Sequence, residues 1–453
     1  MRIIRIKENV IALIMMLLVS GIVLAQTHTG NQPKSKTSTS VREVNQIAQP
    51  DANRVIAIVG ATLIDGRGGV PVKDSVVVAR GERIIFAGQR AGFRLPANTD
   101  IFDAKGMTLL PGLIDAHFHI DGDDQLPGIF LENGVTSLRD PGQWIEAYDE
   151  ARKAGGPPVP RLFLTGPHID SPPAAYPNDS FVVRDEEEAR RAVNRFVDQG
   201  ASGIKIYFRL PLGLIKAVSQ TAHERGVPVT AHLEIVDADE AARAGTDGIE
   251  HITSFGTSLL PAREAEKYRQ SILKDNNARR EGRYAVWNNL NLNSPKARSV
   301  MDLLSERGTF VCPTLAIFER RTGDKDTNET HVAGFRNMLT LVGKMQKGGV
   351  RLVIGSHSAV PHAERGWAYQ RELELMVEAG LTPMQAIVAG TYENARFFRS
   401  ESRIGSIEKG KLADLLLIEG DPLKDIKAMR NVRRVMLGGV WIRRQNADLG
   451  GAK

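Results

Sequence analysis

The sequence holds ten histidines, and seven of them share a setting. His117, His119, His168, His232, His251, His357 and His362 each lie at or just past the end of a short apolar run. His28 falls in a polar N-terminal stretch, and His223 and His331 fall in helical runs. His117 and His119 are two apart on one run, so both imidazoles project to the same side of an extended strand. That places two nitrogen donors a few ångströms apart, as a metal chelate requires. Lys205 lies between Ile204 and Ile206, where an unpaired ammonium is costly to bury. Two resolutions are open. Either the lysine pairs with Asp140 or Glu250, or burial depresses its pKa until the neutral amine adds carbon dioxide. The product, a carbamate, is a carboxylate able to bridge two metals. Tyr207 follows Lys205 by two and shares its face, so it either packs or donates to a developing oxyanion.

Donors so far apart in the chain meet only if the elements carrying them share one end. Eight strand candidates satisfy this: Leu113–His117, Val135–Arg139, Arg161–Thr165, Gly203–Phe208, Val227–His232, Gly248–His251, Phe310–Leu315 and Leu352–Gly355. Helical runs intervene, clearest over Asp185–Gln199, Leu212–Arg225, Ala238–Ala244 and Tyr369–Ala379, each stopped by a glycine. Eight βα units over 113–400 predict an α/β fold, a (β/α)8 TIM barrel, whose strand ends all open on one rim. The polar, helical stretch 256–308 reads as an insertion over that mouth. Segments 53–112 and 401–445 instead carry short β runs between glycine turns and predict a composite β-sandwich built from both chain ends. Arg209, Arg320, Arg321 and Arg365 fall just past strand ends, where an arginine either is solvated or clasps a substrate carboxylate. Cys312 reads as a core residue.

Composition narrows the class. With 42% hydrophobic and 25% charged residues over 453 positions, the chain supports one large domain and a satellite rather than wholesale disorder. A single cysteine excludes an intrachain disulfide framework and a cysteine-ligated cluster. A formal charge of +6, spread over this length, gives no argument for nucleic acid. Residues 1–25 run basic, then apolar, then small, with Val23 and Ala25 before Gln26, the layout of a cleaved signal peptide. The apolar run is short for a stable membrane anchor, although N-terminal anchoring to the inner membrane is the alternative. Residues 26–52 are polar and aperiodic and read as a disordered linker. The mature chain is therefore expected in the periplasm or secreted.

Several stretches resemble the amidohydrolase superfamily. Pro111-Gly112-Leu113-Ile114-Asp115-Ala116-His117-Phe118-His119 is similar to its first-strand signature. Lys205, Thr230-Ala231-His232 and Ile249-Glu250-His251 resemble its fourth-, fifth- and sixth-strand ligands, and Gly405 to Leu415 resembles its return to the β-sandwich. The texture is nearest to the branch with imidazolonepropionase-like enzymes and Xaa-Pro or Xaa-Arg dipeptidases. The resemblance implies two divalent ions, often zinc, with His117 and His119 on the first, His232 and His251 on the second, and carboxylated Lys205 bridging. A metal-activated hydroxide would then cleave an amide or other C–N bond of a small-molecule substrate. His168 resembles a histidine that supports the ligands or meets the substrate. One position departs from the pattern: His357 stands where the family has a strand-eight aspartate that binds the first metal and shuttles the proton. His357 can take either duty. The departure keeps two other readings open, a ligand-binding protein without turnover and a lactonase or lyase. A homo-oligomer is a further expectation.

Overall fold

Each of the eight apolar runs forms a parallel strand, and all but Val135–Asp140, which runs one residue longer, are shorter than the hydrophobic stretch suggested. The computed structural model describes residues 41–153 and 155–443. The strands are β1 (Leu113–Asp115), β2 (Val135–Asp140), β3 (Arg161–Leu164), β4 (Ile204–Ile206), β5 (Val229–His232), β6 (Gly248–Glu250), β7 (Phe310–Cys312) and β8 (Arg351–Leu352). Strands β1 to β3 form one parallel sheet, and β4 to β8 continue in order in another. Two backbone bonds, from Ala116 N to Ile354 O at 2.8 Å and from His357 N to His117 O at 2.7 Å, run between the ends of β8 and β1. At the other seam Ser202 N donates to Leu164 O at 2.7 Å. The arrangement is TIM-barrel-like.

Local backbone geometry explains the short strands. His251, Thr314 and His357 adopt positive φ values of 65°, 47° and 59° just beyond β6, β7 and β8. Non-glycine residues rarely occupy this region, and they gather where function constrains the chain. The apolar runs continue, but the chain turns and aims these side chains into the mouth.

The helices at Glu186–Asp198, Leu212–Glu224, Ala238–Ala244 and Ala368–Glu378 fall where expected. Asp185 caps the first by accepting from Glu188 N at 2.8 Å. The stretch 256–308 is helical, including Ala262–Lys274, Ala278–Asn288 and Pro295–Arg307. A nineteen-residue helix, Glu329–Lys347, lies beyond it. This helix packs closely on Ala278–Asn288, because a Cβ on Gly334 would stand 2.5 Å from Tyr284 O.

The chain ends meet in one sheet. Leu415–Glu419 runs antiparallel to Met107–Pro111, with Leu415 opposite Pro111 and Glu419 opposite Met107. A second sheet holds Val55–Val59, Ser75–Arg80, Arg83–Gln89 and Thr99–Asp103. Ile56, Ile58 and Val77 from this sheet and Leu109, Leu415 and Leu417 from the first share one apolar core.

The expected linker over 26–52 does not hold for its packed part, residues 41–47. Val44 N donates to Leu162 O at 2.8 Å, and Asn45 Oδ1 accepts from Leu162 N at 2.8 Å. Glu43 accepts from Arg161 at 2.9 Å and from Arg403 at 2.8 Å. Polar composition alone suggested disorder, but each of these groups finds a fixed partner on the fold. The expected signal peptide, 1–25, lies outside the described residues. Among the described residues no helix is long and apolar enough to cross a membrane.

This strap should be acid-sensitive. Burial alone would raise the Glu43 carboxyl, but the bond from Arg403 and the charge of Arg161 outweigh it and hold it at about 2. A depressed folded-state pKa stabilises fully above the unfolded value and is lost as pH falls through the folded one. Glu43→Gln should therefore melt below wild type at pH 6, and the gap should close between about pH 4.5 and pH 2. A gap independent of pH, read from thermal melts, would contradict this account.

Candidate active site

Six of the seven rim histidines line one cavity of about 510 Å³, namely His117, His119, His168, His232, His251 and His357. His362 does not join them; its Nε2 lies 2.9 Å from Asp324 Oδ2 in a flanking loop. The predicted chelate has the expected spacing. His117 Nε2 and His119 Nε2 are 3.0 Å apart, just beyond the end of β1 at Asp115. Ring nitrogens of His117, His251 and His357 lie within 4.8 Å of one another. The His232 and His251 rings have centroids 4.5 Å apart.

Buried polar partners orient these rings. His251 Nδ1 is 2.7 Å from Thr314 Oγ1, which leaves Nε2 for the cavity. His117 Nδ1 is 2.8 Å from Glu250 Oε2, and His119 Nδ1 is 3.4 Å from Asp140 Oδ1. The Thr314 contact is of the kind that fixes the tautomer and heading of a ligating imidazole. Ser358 clamps His119 from both sides: its Oγ accepts from His119 N and donates to His119 O, both at 2.6 Å. Asp115 Oδ1 accepts from His117 N and Ser356 N, each at 3.0 Å, and so ties the ends of β1 and β8 together.

Of the two carboxylates open to Lys205, Glu250 takes the ion pair. Asp140 accepts instead from Tyr148 at 2.7 Å and from Ile120 N at 3.1 Å. Glu250 also accepts from Arg139. Burial would raise its carboxyl, yet Arg139 and Lys205 hold it well below the usual carboxylate range. Burial lowers the Lys205 ammonium, with Glu250 opposing it only in part.

His357 sits among His117, His119 and His251, at ring-centroid distances of 5.3, 4.7 and 5.5 Å. Burial, with the charge on nearby His119, brings its pKa down to about 3, so the ring is neutral across the physiological range. Tyr207 stacks on His168 at 4.5 Å, and its hydroxyl lies 3.3 Å from Arg279 Nη2. Burial raises the Tyr207 phenol, which stays protonated. His168 presses on Gly142 so closely that a Cβ there would lie 2.1 Å from its Nε2.

Of the four arginines considered from sequence, only Arg320 lines the cavity. Arg209 donates to the Ile272 carbonyl at 3.0 Å, Arg321 bonds Glu319 at 2.7 Å and Arg365 bonds Asp123 at 2.7 and 2.8 Å. The guanidinium groups that do reach the cavity, Arg279, Arg280 and Arg283, come from the helix Ala278–Asn288. Their spacing over one helical turn is visible in the sequence, but which way that helix faces is not.

Comparison with known proteins identifies the family and the fold. The family model described as "Amidohydrolase family" matches residues 108–442. A 5-methylthioadenosine/S-adenosylhomocysteine deaminase of Symbiobacterium thermophilum is 24% identical over 423 residues, covering 81% of this chain and 85% of its own. Among solved structures, a Xaa-Pro dipeptidase with bound methionine superposes with a TM-score of 0.67 at 24% identity, covering 86% of this chain and all of that one (100%). A molinate hydrolase superposes with a TM-score of 0.66 at 22% identity, over 89% and 97%. These likenesses support the TIM-barrel-like fold. With the family model spanning most of its length, the chain belongs to the amidohydrolase family.

Proposed function

We propose that this protein is an exported, metal-dependent hydrolase that cleaves a C–N bond of a small molecule, on a closed (β/α)8 barrel with a composite terminal β-sandwich. The observation that carries the reading is the convergence of five imidazoles and a buried lysine from β1, β4, β5, β6 and β8 on one cavity. The donors fit a pair of divalent ions, zinc above all. The nitrogen-rich set suits zinc, and His232 Nδ1 is buried without a hydrogen-bond partner. His117 and His119 would hold one ion and His232 and His251 the other, with Lys205 as a carbamate between them. His357 would complete the first site in place of the family aspartate. Such ions supply Lewis acidity toward a carbonyl and toward water.

The chain's own groups divide the remaining work. Tyr207, protonated and next to the lysine on β4, is set to donate to a developing oxyanion. His168, stacked beneath it, keeps that ring in place. Relatives named as a deaminase and a Xaa-Pro dipeptidase support C–N chemistry without selecting a substrate. The basic, apolar, small order of residues 1–25 supports export. Nothing in the composition favours nucleic acid, and a homo-oligomer is compatible with the large barrel. His357 in the strand-eight position favours one second reading, a lactonase, lyase or non-catalytic binder on the same barrel.

Metal analysis of the mature protein, with a panel of amides, dipeptides and lactones, tests the proposal. The expected result is two divalent ions per chain and turnover of at least one amide or dipeptide, abolished by chelation. Turnover of lactones alone would select the second reading. Metal-free protein inert toward every substrate would overturn the hydrolase.

A further inference from the structure

Four arginines are buried among the described residues: Arg139, Arg161, Arg279 and Arg371. Three have carboxylate partners. Arg139 bonds Glu250, Arg161 bonds Asp414 at 2.7 Å and Arg371 bonds Glu319 at 2.8 Å. Arg279, only 3% exposed, has none. Its Nη2 reaches two phenol hydroxyls, Tyr176 at 2.7 Å and Tyr207 at 3.3 Å, and its Nε has no partner. Its guanidinium lies over the Phe208 ring at 4.9 Å. A buried cation without a counter-ion is strongly unfavourable, so something must complete it.

The neighbours deepen the imbalance. Arg283 donates to the Arg279 carbonyl at 3.2 Å and lies over Phe318. Arg320 donates to the Glu319 carbonyl at 2.7 Å and lies over Tyr284. Arg280 donates to Tyr176. None of the three has a carboxylate partner among the described residues, and all three line the same cavity as Arg279. Glu234 is the acidic group facing Arg279 and Arg283, but its ion-pair contact is with His232, at 3.4 Å. Asp121 and Asp179 also line the cavity, but among the described residues no ion pair joins either of them to the four guanidinium groups.

Building on the hydrolase reading, we infer that the wall formed by Arg279, Arg283 and Arg320 is the seat of a substrate carboxylate. The substrate class is then an amide that carries a free carboxylate on its leaving amine, such as an N-acyl amino acid or a short peptide. A planar guanidinium matches a carboxylate in bidentate fashion, and the Tyr176 and Tyr207 hydroxyls offer further donors beside it. Phe318 and Ile317 supply the apolar surface for the substrate's side chain. A neutral urea or carbamate would leave the buried Arg279 unpaired and bind poorly.

Calorimetric titration of the mature protein with N-acetyl-L-methionine, N-acetyl-L-phenylalanine and N-acetyl-L-proline, each beside its primary amide, tests the assignment. At least one acid should bind roughly 10- to 100-fold tighter than its amide, the scale of a hydrogen bond to a charged group. Arg279→Met should remove that preference, so that acid and amide bind the variant with similar affinity. If Arg279→Met fails to fold, as a thermal melt would show, Arg283→Gln and Arg320→Gln carry the test and should each reduce the preference. Equal affinity for acid and amide, no binding of any acid, or variants that keep the full preference would overturn the inference. Because binding is read at equilibrium, acids that bind tightly yet are never cleaved would sink the hydrolase reading alone.

Discussion

Replacing Lys205 by alanine should remove at least one of two bound ions per chain and with it nearly all turnover. The side chain is 1% exposed and points from the middle of β4 into the floor of the histidine cluster. It lines the same cavity as His117, His119, His232 and His251, so a carbamate there would stand among the ligands proposed for both ions. Groups that merely support metal ligands contribute roughly 10- to 100-fold to affinity or activity, and a bridging ligand should exceed that range. In the chain whose lysine is not carboxylated, the same change removes the Lys205–Glu250 ion pair and costs about 3–5 kcal/mol, as removal of one partner from a buried pair does. Melting temperature and metal stoichiometry must therefore be measured on the same sample. A short carboxylate such as formate, added to the folded variant, should restore part of the metal and part of the rate. Full occupancy in folded Lys205→Ala would refute the bridge and leave Lys205 as the counter-ion of Glu250 alone.

The TIM-barrel-like fold and the histidine cluster were legible because both rest on short-range patterns. Apolar runs of strand length announced β1 to β8, and the two-residue step from His117 to His119 needs only the alternation of an extended chain. What escaped depends on partners distant in sequence. Residues 41–47 have a linker's composition, yet Glu43 is fixed by Arg161 and Arg403, which no local pattern connects to it. The same holds for Gly334 and Gly343. In the helix Glu329–Lys347 they are points of close approach, where added Cβ atoms would meet Tyr284 O at 2.5 Å and Ala379 O at 2.2 Å. Arg279 looked like one charge in a polar insertion, and its burial depends on how the helix Ala278–Asn288 lies over the mouth. His362 shows the converse. It had the right local setting, past an apolar strand, but the chain turns at His357 and Ser358 with φ of 59° and 56° and carries it to Asp324.

His357→Ala should cost one ion per chain and reduce turnover by roughly 100-fold or more, the scale set by the groups that support such ligands. The geometry favours a ligand role. Its ring nitrogens share a 4.8 Å neighbourhood with those of His117 and His251, and its backbone N–H is anchored on His117 O at 2.7 Å. A ligating imidazole must be neutral, and burial already keeps this one so. Removing the ring should leave the fold intact, because the cavity it faces is open to solvent on one side. The companion variant, His357→Asp, restores the residue type that the family carries at this strand. Aspartate tolerates the left-handed backbone that the position demands, so the loop should keep its course. That variant is expected to bind both ions and to hydrolyse the wild-type substrates at least as fast, since a carboxylate both ligates and accepts a proton. Metal content and initial rates, measured together, separate the outcomes. Full metal with lost turnover in His357→Ala would move the residue from ligation to proton transfer. Full metal with full turnover would exclude both roles and leave the strand-eight position without a catalytic duty.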